Sequence, residues 1–201
     1  MALAYDEAKA LSSRGMTEDQ ILHQIKSIAA FGDETMRPNL VKMLNAMKIN
    51  ALLGIGDASE LWTTSYDALH ATSVIPLAAF RNGKMFAGSF DQVLRSEAFS
   101  VGFQRDFLPS LKALPHKAFF VALGPTPLDA LQWCVAQGHI QEEQLLGALA
   151  HPSRSSGSQV DIYLGLKDPK DLNPKDPVRC RIDWLQRASQ SMRQKLRKLA
   201  R

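Results

Sequence analysis

The amino-acid sequence predicts an α/β fold: a mostly parallel central sheet covered by helices on both faces, in a three-layer αβα arrangement with a helical N-terminal part. Three observations lead there. Short apolar runs of strand length occur at residues 69–77, 118–123 and 145–149. Helical patterns separate these runs, and strands joined through helices make right-handed crossovers between parallel neighbours. Residues 1–56 read as mainly helical.

The elements follow in order. Residues 3–11 read as a short helix, and Thr17-Glu18-Asp19-Gln20 is a capping-box pattern opening a second, with Ile21, Leu22, Ile25 and Ile28 as its apolar positions. Pro38 stands where the first turn of a third helix belongs, with Leu40, Val41, Leu44 and Met47 on one face, and Gly54 and Gly56 break the pattern. Leu69-His70-Ala71-Thr72-Ser73-Val74-Ile75-Pro76-Leu77 is the first strand candidate, with Pro76 marking its end. Asn82-Gly83 and Gly88 punctuate a loop, and Ser89-Phe90-Asp91-Gln92 caps a helix. Residues 103–114 continue in helical or irregular form up to Pro115. A strand at 118–123, a helix at 127–136 and a strand at 145–149 come next. A polar connector with prolines at 169, 174 and 177 leads to a long basic helix at 178–199.

A chain of 201 residues, 45% hydrophobic and 22% charged, suits one domain over residues 1–201 with a full hydrophobic core. Its longest apolar runs, near Phe119 and Leu145, fall well short of the ~20 residues a membrane helix needs. The start Met1-Ala2-Leu3-Ala4-Tyr5-Asp6-Glu7 lacks the basic and apolar regions of a signal peptide, which predicts a cytoplasmic protein. Cys134 and Cys180 have no metal-ligand spacing and read as reduced, buried or half-buried thiols. The net charge is +4, and six basic residues with no acidic one lie from Trp184 onward. Such a helix suits phosphates or an acidic partner, and equally a solvated end whose cations complement the helix dipole.

In a parallel sheet, ligands bind beyond the carboxyl ends of the strands. Loops 72–76, 124–127 and 151–155 would converge there, and His151 is the one strong titratable donor among them. Leu149-Ala150-His151-Pro152-Ser153-Arg154-Ser155 delivers a histidine, a proline and a serine directly after an apolar run.

Leu123-Gly124-Pro125 and His151-Pro152-Ser153 resemble the second half of the uracil-DNA glycosylase superfamily, whose later motif begins with histidine, proline and serine. Thr72-Ser73-Val74, Asn82-Gly83-Lys84-Met85-Phe86-Ala87-Gly88, Tyr163-Leu164-Gly165-Leu166-Lys167 and Leu172-Asn173-Pro174-Lys175 extend the likeness to an uncharacterised bacterial branch with that fold, over residues 37–190. The resemblance implies a DNA-repair hydrolase acting on a flipped or single-stranded base, with single-stranded or damaged DNA as partner and no metal or organic cofactor. His151 would be catalytic, donating to the departing base as negative charge develops on it. Pro152 would stiffen the loop, while Ser153, Arg154, Ser155, Gly124, Pro125 and Ser73 would line the nucleic-acid contact.

The chain also departs from the family. Nothing before Arg37 reads as the strand and glycine-rich loop carrying an acidic or amide residue that positions water. Thr72 or Ser73 stands where many members place a base-reading asparagine, offering a hydroxyl instead of a two-sided amide. Ser155 stands where some place a bulky apolar wedge. A non-catalytic nucleic-acid- or protein-binding member of the same fold is therefore a second reading. A third is a helix-hairpin-helix contact at Leu52-Leu53-Gly54-Ile55-Gly56-Asp57-Ala58, where a plain helix stop explains the same residues. The chain holds no Gly-x-x-x-x-Gly-Lys, Gly-x-Ser-x-Gly or His-Glu-x-x-His. His23, His70, His116 and His139 are scattered singly, and Trp62, Trp133 and Trp184 fall in helical patterns as core or interface residues.

Overall fold

Pro38 rides inside the first turn of its helix, where the missing N–H has no intrahelical partner to lose. This is helix α1, Met36–Ala46, in a computed structural model that describes residues 9, 12–15, 17, 21, 31–32, 34–75, 79–81, 83–153 and 157–199. The helices expected at 3–11 and from Thr17 lie largely outside the described residues. Leu40, Met43, Leu44 and Met47 are buried along α1, and Val41 only partly. Lys48, at φ 60°, ends that run, and α2 follows at Ile49–Leu52.

The chain then closes on itself. The Gly54 and Ile55 amides donate to the carbonyls of Ala51 and Asn50 at 3.1 and 3.0 Å, so both serve the helix stop. Asp57 caps the 3-10 turn Ala58–Trp62, accepting from the Ser59 amide at 2.8 Å while Glu60 accepts from the Asp57 amide at 2.9 Å. Asn45 ties this turn to α1 by accepting from the Ala58 amide at 2.8 Å and donating to Asp57 Oδ2 at 2.6 Å. The Arg37 guanidinium lies 5.5 Å from the ring centroid of the buried Trp62.

These residues belong to the first of two compact units, Met1–Ala71 with Pro152–Ser155; the second is Thr72–His151 with Ser156–Arg201. The second unit is a mixed α/β structure. Its hairpin pairs β1, Phe80–Arg81, with β2, Lys84–Met85, around the Asn82-Gly83 dipeptide that the sequence marks as a loop. Then come α3 (Phe90–Arg95), α4 (Glu97–Gly102), a π turn (Phe103–Phe107) and α5 (Leu108–Lys112). Strand β3 (Phe120–Leu123), helix α6 (Pro125–Ala136) and strand β4 (Leu145–Leu149) form a β-α-β unit. Helix α7 (Gln159–Leu164) and helix α8 (Ile182–Leu199) complete the chain. Helix α8 starts later than expected because Asp176 and Pro177 build a 3-10 turn, Pro177–Arg181, ahead of it.

Strands β3 and β4 pair in parallel, Val121 opposite Gly147 and Leu123 opposite Leu149, with a bulge between Phe120 and Val121. Gly147 sits at φ 127°, a conformation that favours glycine, and its backbone faces Met192 of α8 at ordinary contact distance. Phe120, Ala122 and Ala148 instead join Phe90, Phe103, Phe107, Leu131 and Cys134 in the main core cluster. Trp133 and Trp184 pack against its edge. Burial pushes the Cys134 thiol up to about 11, whereas Cys180 is exposed, unlike the half-buried thiol expected.

The first expected strand is a correction. Residues 69–75 form no strand, and 76–78 lie outside the described residues. Ser73 is exposed, its neighbours are half-buried, and Pro76 has no N–H to give a ladder. Among the described residues the parallel sheet is therefore the single pair β3–β4.

Helix α3 forms where Ser89 and Gln92 predict it, the Ser89 hydroxyl accepting from the Gln92 amide at 3.4 Å and the Gln92 side chain accepting from the Ser89 amide at 3.2 Å. A methyl group on Gly88 would come within 2.5 Å of the Phe86 ring and also strike the Gln92 amide group. Gly88→Ala is expected to destabilise the protein by about 1–3 kcal/mol through overpacking and loss of the cap, a shift that urea denaturation will read.

Candidate functional site

Gly124 leaves β3 at φ 102° and ψ −179°, a backbone conformation that residues with a side chain scarcely adopt. Its amide donates to the Leu149 carbonyl at 3.0 Å, extending the β3–β4 pairing by one bond beyond the strands. Pro125 then begins α6, its fixed φ suited to a first helical turn. Leu149 and Ala150 are buried, and His151 emerges exposed two residues after β4 ends. Gly124, Pro125 and His151 therefore stand at the carboxyl ends of adjacent parallel strands, as the sequence predicts.

Two residues that sequence reasoning passes over set the histidine. The carbonyl of His151 accepts a hydrogen bond from the Gln159 side-chain amide, and Gln159 is itself almost wholly buried. A buried amide whose donor is satisfied by one backbone carbonyl fixes that carbonyl's direction. The available signal was a glutamine immediately before the apolar Val160, Ile162 and Tyr163 on a short helix. Tyr163 holds the preceding strand in the same manner, its hydroxyl donating to the Ala148 carbonyl at 2.9 Å. Its phenol is held well above the usual tyrosine range by burial, which keeps it a donor.

Arg181 is the second. Although the residue is exposed, the protein around its ring strips away part of its water, which lowers the His151 pKa below 6.5, and the positive charge of Arg181 lowers it further. The imidazole is thus neutral at pH 7, with one N–H to donate. Arg181→Gln is expected to raise the His151 pKa while leaving it under 6.5, since desolvation is the larger cause. An NMR titration of the imidazole protons checks this; an unchanged or lower pKa would contradict the electrostatic coupling.

A polar chain ties Ser158, which precedes α7, to the 3-10 turn that precedes α8. Lys167 Nζ donates to the Ser158 hydroxyl at 3.1 Å, which donates to Asp176 Oδ2 at 2.8 Å. Asp176 also accepts from the Val178 amide at 3.0 Å, and that bond heads the causes holding its carboxyl below the usual range.

The other expected site residues do not all join this group. Ser73 is exposed on the irregular segment 69–75. Ser153 is half-buried in the first compact unit, where Asn39 Nδ2 donates to the Pro152 carbonyl at 2.9 Å. Arg154 and Ser155 lie outside the described residues. No cluster of three or more histidine, cysteine, aspartate or glutamate side chains among the described residues is placed to hold a metal ion. No helix among them is long and apolar enough to cross a membrane.

No family model matches the chain, and no solved structure matches it. It is similar to an uncharacterised protein of Bacillus subtilis, YoxB, at 27% identity over 163 residues. The similar region covers 81% of this chain and 63% of YoxB, so the chain spans less than two thirds of that relative's length.

Proposed function

We propose that the protein is a divergent relative of the uracil-DNA glycosylases, with their three-layer αβα fold, that hydrolyses the N-glycosidic bond of a flipped or single-stranded nucleobase. The observation that carries this reading is the placement of the Gly124–Pro125 turn and of His151 at the carboxyl ends of neighbouring parallel strands, locked by the Gly124 to Leu149 hydrogen bond. Breaking the bond sends its electron pair onto the base and leaves positive charge at the sugar C1′. Water adds at C1′ and gives up a proton, which neutralises the departing base anion. The neutral His151 imidazole donates its N–H to the base oxygen where negative charge develops, in the positive field of Arg181. Ser153, Arg154, Ser155, Ser73 and Pro125 would contribute to the nucleic-acid contact, as the family motif implies.

A non-catalytic nucleic-acid- or protein-binding member of the fold is the second reading. It is favoured by the irregular course of residues 69–75, where the family reading expects a strand. Release of uracil or hypoxanthine from single- and double-stranded oligonucleotides by the purified protein separates the two. Release lost in His151→Ala supports the hydrolase, and binding with no release supports the second reading.

A further inference from the structure

The hairpin β1–β2 exposes side chains that a folded protein ordinarily covers. Phe80 is 59% exposed and Met85 75% exposed, and the two are cross-strand partners. Arg81 and Lys84 form the neighbouring cross-strand pair and are likewise exposed. Successive residues of a strand point to opposite faces, so the ribbon carries an apolar pair on one face and a cationic pair on the other. Residues 79–88 include no acidic side chain, and neither cation is paired with a carboxylate among the described residues.

The ribbon is firmly based. The Phe86 amide donates to the Ala79 carbonyl at 2.8 Å, closing the hairpin's foot, and the Phe86 ring packs 4.7 Å from that of Phe99. A hollow of about 420 Å³ runs along the β2 side, lined by Arg81, Lys84, Met85, Phe86, Gly88 and Gln92. Thr126, in the first turn of α6, donates to the Gly88 carbonyl at 3.2 Å, tying the segment after β2 to that helix.

From this geometry we infer that the β1–β2 hairpin is a binding arm for single-stranded nucleic acid, in which Phe80 and Met85 stack on unpaired bases and Arg81 and Lys84 neutralise the phosphates beside them. A single strand passing along the ribbon's edge presents bases to one side and phosphates to the other, matching the two faces. A bilayer does not match them, because headgroups and acyl chains would have to be met from the same side. Pairing with a second copy is limited by two-residue strands carrying a lysine at the edge. The choice of occupant is consistent with the base-processing reading above and deepens it, but the arm's binding does not require His151.

Fluorescence anisotropy with a labelled oligothymidylate tests the arm, since thymine offers a stacking face and no lesion. The Phe80→Ala/Met85→Ala double variant is expected to weaken binding roughly five- to a hundredfold, the range for losing base stacking. Arg81→Gln/Lys84→Gln should reduce the slope of log K against log salt by about 1.4, the value for two phosphate contacts on a single strand. An abasic oligomer of equal length should bind wild type and the double variant alike. All four side chains are exposed, and unchanged thermal midpoints will confirm that the variants fold. Equal affinity of wild type and both variants for oligothymidylate would overturn the inference. So would no binding by wild type, or hairpin-dependent binding to phosphatidylglycerol vesicles in its place. Base release that needs His151 but is indifferent to the hairpin variants would sink the arm and leave the hydrolase. Hairpin-dependent binding without base release would do the reverse.

Discussion

Replacing Phe103 with alanine is expected to cost about 3–5 kcal/mol of stability. Phe103 is fully buried. Its ring centroid lies 5.1 Å from that of Phe90, 5.2 Å from Phe107 and 5.5 Å from Trp133, so one side chain joins α3, the π turn and α6. Removing it strips three aromatic neighbours of their contacts and leaves a cavity whose walls belong to different elements. Those walls cannot all move inward without disturbing the β3–β4 pair, because Phe120 and Ala122 share the same cluster. A loss of this size is a large part of the roughly 5–15 kcal/mol that holds a domain folded. Urea denaturation followed by far-UV circular dichroism checks it. A cost below about 1 kcal/mol would mean that the cluster collapses to fill the space, and Phe103→Leu should fall between the two.

Under the proposed hydrolysis, His151→Ala is expected to lower the rate of base release by a factor of about 10²–10³, the range seen when one donor to a developing oxyanion is removed. The exposed ring contributes little to packing, so the variant should unfold at nearly the same urea concentration as wild type. That contrast distinguishes a catalytic group from a structural one. His151→Gln, which keeps an N–H donor on a side chain of similar reach, should recover part of the rate. Equal turnover in wild type and His151→Ala would remove the histidine from the mechanism, whatever the substrate.

The features legible in the sequence are those governed by interactions over a few residues. Ser89 and Gln92 cap their own helix. Residues 145–149 form the strand that their apolar run predicts, and the rigid turn at Gly124 and Pro125 ends β3 where the chain changes period. The placement of His151 beyond a parallel strand followed from these elements alone. The strand expected at 69–77 failed on the same local ground that made it attractive, for an apolar run becomes a strand only if a neighbour supplies its ladder.

The sequence by itself determined the β-α-β unit, the capped helices, and a histidine delivered at a strand's end, because propensity, capping and proline or glycine geometry act within a turn or two of the chain. Only the tertiary structure decided that Gln159 holds the His151 carbonyl, that Arg181 depresses the imidazole pKa, and that Phe80 and Met85 remain uncovered on their hairpin. Hydrogen bonds, burial and Coulomb interactions act through space. They join residues whose separation along the chain carries no signal until the core around Phe103 has brought their elements together.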